Sequence, residues 1–137
     1  MKSYIGTKQI KAKPMTRLFY NLYRGWDLSA DENGDDEGML IEYVDGGAAN
    51  HPDHSGYISW SPLAVFTNTY RQDDTFLERL LIEKEELSNK VTKLFTALEA
   101  GSIPEEAVAI NQLQLSIMNS YLQVLDIKIN QASELSV

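Results

Sequence analysis

From residue 75 onward the apolar positions recur at helical spacing, three and four residues apart, and before residue 71 they do not. The segment "TFLERLLIEKEELSNKVTKLFTALEA" opens with Thr75 three residues ahead of Glu78, the signature of a capping box, and runs to Gly101, a residue suited to ending a helix. "SIPEE" then restarts the chain with a second such pair, Ser102 and Glu105, and a further helix is predicted to about Gln131. Each helix has about 26 residues and is therefore roughly 39 Å long. The short connection between them predicts an antiparallel helical hairpin.

The two helices differ in how many apolar faces they carry. On the first, Leu77, Leu80, Leu87, Val91, Leu94 and Leu98 share one stripe, with Leu81 and Phe95 at its edge. On the second, Ile110, Leu113, Ile117, Tyr121 and Val124 form one stripe, and Leu115, Met118, Leu122, Leu125 and Ile129 form another, about 120° further round at 100° per residue. A hairpin covers one stripe of each helix. The other stripe of the second helix must meet either the N-terminal part of the chain or another copy. A hairpin of this length is marginal on its own, so self-association is the favoured expectation. Leu115, Met118, Leu122, Leu125 and Ile129 are the residues expected at the oligomer interface.

Residues 1–71 have a different pattern. Ten of the chain's aromatics, seven of its eight glycines and three of its four prolines lie there. Short alternating or β-branched runs predict strands at Gln9–Lys13, Met39–Val44 and Gly56–Trp60. Short helices are predicted after Thr16, to Arg24, and after Ser61, with Ser61 as the N-cap and Pro62 as the first helical residue. The fold class is thus an α+β module of about three strands and two short helices over residues 1–71, followed by the long hairpin over residues 72–137.

Composition narrows the function. The net charge of −8 disfavours long nucleic acid, although a small anionic ligand needs only a local basic pocket. The absence of cysteine removes disulfide, thiolate and zinc-thiolate chemistry. No apolar run is long enough for a membrane span, and "MKSYIGTKQIKAKPM" has no secretory h-region, so a cytosolic protein without membrane partners is expected.

Two segments imitate metal sites. In "DENGDDEGMLIE", Asp31, Asn33, Asp35, Glu37 and Glu42 occupy ligand places of a calcium loop, but the sixth place is Asp36 where glycine is needed, and a strand follows instead of a helix. "NHPDHSG" offers His51, Asp53 and His54 without a defined further ligand. A solvated acidic loop and a polar loop tip are the expected identities, and neither a metal nor a cofactor is predicted. No phosphate-binding glycine loop or nucleophile elbow is present, so the residues favour a binding protein over an enzyme. A metal-using enzyme centred on His51 and His54 is the weakest reading.

The cations of the hairpin are more suggestive. Arg79, Lys90 and Lys93 share one helix face with Glu86, and Lys84 lies beside the apolar stripe. Ordinary i,i+4 pairing and a snorkelling lysine account for them in a lone chain. In an oligomer each charge is repeated, so these four residues are candidates to pair with phosphates, while Phe76 and Tyr121 are candidates to stack on bases.

The hairpin also resembles a known family. Glu78-Arg79, Glu83-Lys84 with Glu86-Leu87, Lys90, Lys93-Leu94, and Met118 followed by Tyr121-Leu122 and Val124-Leu125 are similar to elements of the small, crAss-phage-related helical proteins, which include the anti-CBASS cyclic-oligonucleotide sponges. The resemblance covers about 57 residues, Thr75 to Gln131, with Pro104-Glu105-Glu106 standing where the family has a longer acidic loop. It implies a homo-oligomer, a hexamer, that holds cyclic di- or trinucleotides between protomers without hydrolysing them, in the host cytosol during infection. Residues 1–70, through "IGTKQIKAKPMT", "YRGW", "DEGMLIEYVDGG" and "GYISWSP", resemble a small module common in phage proteins. The alternative function is an oligomeric adaptor whose aromatic N-terminal module binds a host or phage protein.

Overall fold

The computed structural model describes residues 1–135. The chain divides between Tyr70 and Arg71 into two compact units, an α+β unit and a helical hairpin. Among the described residues no helix is long and apolar enough to cross a membrane.

The first unit is built on an antiparallel sheet in the order β1-β2-β3, with β1 at Ile10–Pro14, β2 at Gly38–Tyr43 and β3 at Tyr57–Pro62. Helix α1 (Arg17–Arg24) follows β1, and α2 (Leu63–Thr69) follows β3. The register pairs Leu40 with Trp60 and Glu42 with Ile58, so these four share one sheet face. On that face Leu40 and Ile58 are buried with Tyr20 of α1, and Met15, Tyr23 and Trp60 close around them. Ile41, on the opposite face by alternation, is also buried. β1 is an edge strand whose Lys11 and Lys13 discourage further pairing.

Local chemistry sets most helix ends. Thr16 caps α1 by accepting from the Phe19 N–H. Its other end is a Schellman turn: Gly25 has φ +73°, its N–H donates to Leu22, and the Trp26 N–H donates to Asn21. The expected cap at Ser61 does not form. The ladder continues through Met39–Ser61 and Gly38–Pro62, so both residues belong to β3, Pro62 is the N-cap of α2, and the Ser61 hydroxyl donates to the Pro62 carbonyl.

The second unit pairs α3 (Phe76–Glu99) with α4 (Glu105–Leu135). Thr75 caps α3 as expected, accepting from the Glu78 N–H at 3.1 Å while its own N–H donates to the Glu78 carboxylate at 2.9 Å. Replacing Thr75 by alanine is expected to cost about 1 kcal/mol, read as a lower denaturation midpoint. Gly101, at φ +68°, ends α3, with Ser102 N–H donating to Ala97 and Gly101 N–H to Leu98. The second capping box is displaced: α4 begins at Glu105 itself, which is its first residue and not the third that pairing with Ser102 requires. Pro104 immediately precedes that start, and α4 then continues past Gln131 to Leu135.

Candidate functional site

The two apolar stripes of α4 take different places from those expected. Leu125 is 1% exposed, Met118 is also buried, and Leu115, Leu122 and Ile129 are half-buried, so the stripe anticipated at an oligomer interface is the seam of the hairpin itself. Across that seam, α3 contributes Leu80, fully buried, and the half-buried Leu77, Leu87, Val91, Leu94 and Leu98. The physical reason is length. The inner row runs Ala107, Asn111, Leu115, Met118, Leu122, Leu125, Ile129, Ala132, and every member is buried or half-buried. That row repeats at near-heptad spacing over the whole helix, whereas the other stripe stops at Val124.

The stripe left outside is Ile110, Leu113, Ile117, Tyr121 and Val124, between 42% and 63% exposed. It is bounded by two exposed charges, Glu106 and Lys128. The positions fall symmetrically about Ile117: Leu113 and Tyr121 lie four residues either side, Ile110 and Val124 seven, Glu106 and Lys128 eleven. These flanking charges escaped the sequence reading, although the symmetric spacing was there to find them.

The cations do not gather in one place within the chain. Arg79 Nη1 donates to the backbone carbonyls of Asp73 and Asp74, at 2.9 and 3.2 Å, and so braces the turn leading into α3. The Lys84 ammonium stands 2.6 Å from Asp126 of α4, an ion pair across the hairpin with both side chains about half exposed. Such an exposed pair contributes about 1 kcal/mol or less, but it sets a register. Lys90 and Lys93 are exposed on the same outer face of α3 as Arg79, with no ion pair to either among the described residues. At 1.5 Å per residue, Arg79 and Lys93 are about 21 Å apart along α3.

The aromatic candidates are also separated. Phe76 is exposed in the first turn of α3, and Tyr121 lies within the outer stripe of α4. The Lys84–Asp126 pair fixes the antiparallel register, so Tyr121, five residues before Asp126, lies level with Asn89, five after Lys84. That places it about 20 Å along the hairpin from Phe76. Near the start of α3, Arg71 grips Glu85 in a two-point ion pair, Nε at 3.0 Å and Nη2 at 3.2 Å. Those hydrogen bonds, then the Arg71 charge, hold the Glu85 carboxyl below the usual carboxylate range.

In the first unit, the residues that imitate metal sites are bonded to one another. His51 Nδ1 accepts from the Asp53 N–H, so its proton is on Nε2, which donates to the Tyr23 carbonyl at 3.0 Å. The His51 ring stacks on that of Tyr23 with centroids 4.0 Å apart. His54 bridges the Glu42 carboxylate and the Tyr23 hydroxyl, the latter at 2.7 Å. Burial, then the charges of Asp53 and Glu42, push the Tyr23 phenol up. Together these contacts staple the loop after β2 to α1. Glu42 therefore points at His54, on the strand, and does not close the acidic loop. That loop is held by an Asx turn, Asp35 N–H to Asn33, and by Arg17 beside Glu32 and Asp36.

The family model described as Sequestin matches residues 74–131, from just ahead of α3 to near the end of α4. No curated protein and no solved structure matches the chain.

Proposed function

We propose that the protein is a phage immune-evasion protein that sequesters cyclic di- or trinucleotides, without hydrolysing them, at sites between copies of its helical hairpin. One observation carries this reading: the Sequestin match falls on the unit that leaves a five-residue apolar stripe bare. Cations spread over about 21 Å of α3 do not enclose a phosphate in one chain, and a second copy supplies the missing side. Arg79, Lys90 and Lys93 are the phosphate-pairing residues of the proposal, and Lys84 joins them by exchanging Asp126 for a ligand oxygen. Tyr121 lies in the stripe where copies join and is placed to stack on a base there; Phe76 offers a second ring near the start of α3.

The join itself follows from the symmetric spacing about Ile117. Two α4 helices laid antiparallel across that residue put Ile110 opposite Val124, Leu113 opposite Tyr121, and Glu106 of each copy opposite Lys128 of the other. That is a self-complementary two-fold contact, apolar within and charge-matched at both ends. A hexamer then consists of three such pairs, with the host cytosol as its place of action.

Native mass spectrometry of the full chain with a panel of cyclic di- and trinucleotides tests the reading. The expected result is an oligomer that retains one or more of them and, after heat denaturation, releases it with unchanged mass. A product of altered mass, or no retention across the panel, would overturn it.

A further inference from the structure

The two edges of the sheet are finished differently. At the β3 edge the Asn50 side chain accepts from the Ile58 N–H at 2.7 Å and donates to the Ile58 carbonyl at 2.9 Å, and Pro62 has no N–H to offer. Those bonds fix the alternation across the sheet, because in an antiparallel ladder the N–H and C=O of one residue point to the same side. Ile58 and Trp60 point outward, so Tyr57, Ser59 and Ser61 bond to Tyr43, Ile41 and Met39. Leu40 and Glu42 are left to bond to Lys13 and Lys11 of β1, and the Met15 N–H, donating to Gly38 at 3.0 Å, continues that ladder. Ile10 and Ala12 therefore turn their N–H and C=O groups away from the sheet, and no hydrogen-bond partner meets them among the described residues.

An edge with open backbone groups is a template for a further strand, and its side chains restrict which strand it accepts. Lys11 and Lys13 share a sheet face with Leu40 and Glu42, both are exposed, and neither has an ion-pair partner among the described residues. Residues 1–26 contain six lysines and arginines and no aspartate or glutamate. Of these cations Lys8 is paired with Asp45, and Arg17 with Glu32 and Asp36, so the unmatched charge of β1 is that of Lys11 and Lys13. Glu42, the carboxylate opposite Lys11, is engaged by His54. A second copy of β1 does not fit, since antiparallel pairing about Ala12 sets Lys11 of one copy against Lys13 of the other.

We propose that the β1 edge takes an extended acidic segment of a partner protein as a fourth strand, paired through Ile10 and Ala12, with aspartate or glutamate at alternate positions against Lys11 and Lys13. Side chains two apart on a strand lie on one face roughly 7 Å from each other, which is the repeat that separates the two lysines. The backbone bonds hold any extended chain, and the two opposite-charge pairs select an acidic one. A cavity of about 220 Å³ beside the two lysines, with Leu40, Glu42 and His54 in its walls, leaves room on that face for the incoming side chains. This surface is independent of the hairpin and of the nucleotide reading.

Backbone amide signals of the full-length protein give the readout. Titration with acetyl-Thr-Glu-Val-Glu-Val-Thr-amide is expected to shift the Ile10 and Ala12 signals saturably and to slow their hydrogen exchange. The same peptide with lysine in place of both glutamates is expected to bind about tenfold more weakly or worse. Ala12→Pro removes an outward N–H, leaves the ladder through Lys11 and Lys13 in place, and is expected to weaken the acidic peptide by a similar factor. The double variant Lys11→Glu, Lys13→Glu leaves the backbone unchanged and is expected to reverse the preference in favour of the lysine peptide. Equal binding of the two peptides, unmoved Ile10 and Ala12 signals, an Ala12→Pro protein that binds like the original, or a double variant that keeps the acidic preference overturns the proposal. So does an oligothymidylate that moves these signals when the acidic peptide does not, which would assign the edge to nucleic acid.

Discussion

Ile117→Glu is expected to separate the proposed pairs, read as loss of the wild-type oligomer mass by light scattering or sedimentation. In the antiparallel pairing Ile117 meets its own copy at the two-fold axis, so one substitution places two carboxylates against each other in the most apolar part of the contact. Like-charge juxtaposition of this kind costs several kcal/mol, enough to disperse a contact built on five side chains per copy. A charge swap tests the geometry separately. Glu106→Lys sets a lysine of each chain against the other's Lys128 and should weaken association, and adding Lys128→Glu should restore it. A parallel or unrelated contact predicts no such rescue. A wild-type protein that stays monomeric at micromolar concentration, or an Ile117→Glu variant that keeps the wild-type mass, would sink the pairing.

The second large effect concerns the inner stripe. Leu125→Ala is expected to lower the stability of the hairpin by about 2–5 kcal/mol, because it removes most of a side chain that is 1% exposed and leaves a cavity against α3. Leu113→Ala, on the same helix but 55% exposed, is expected to change stability by no more than about 0.5 kcal/mol in the single chain. Denaturant titrations on the Ile117→Glu background keep association through the outer stripe out of the comparison. Equal costs for the two substitutions would mean that the stripes face the other way.

The elements were legible in the sequence because their causes are local. Thr16, Thr75 and Gly101 act on backbone groups within about five residues, and the structure shows each at the helix end it marks. At Ser61 a longer-range contact overrode the local signal. Ser61 and Pro62 were claimed by the ladder with β2, so the helix that follows them begins only at Leu63. The two histidines could not be interpreted from spacing, because Tyr23 is 28 and 31 residues away and Glu42 reaches His54 only across the fold. A cavity lined by Arg17, Asn21, Trp26 and Trp60 left no sequence signal either, since its walls come from α1, from the turn after it and from β3.

Periodicity alone established that α4 carries two apolar faces and that α3 carries one. It could not establish which face turns inward, because the spacing of residues along a helix is unchanged by rotation about its axis. That rotation is decided by the partner: α3 offers a long single stripe, and the face of α4 that matches it from Ala107 to Ala132 buries more apolar surface than the shorter face between Glu106 and Lys128. The same packing brings Lys84 to Asp126, forty-two positions away, and leaves the symmetric stripe about Ile117 as the surface available to another copy.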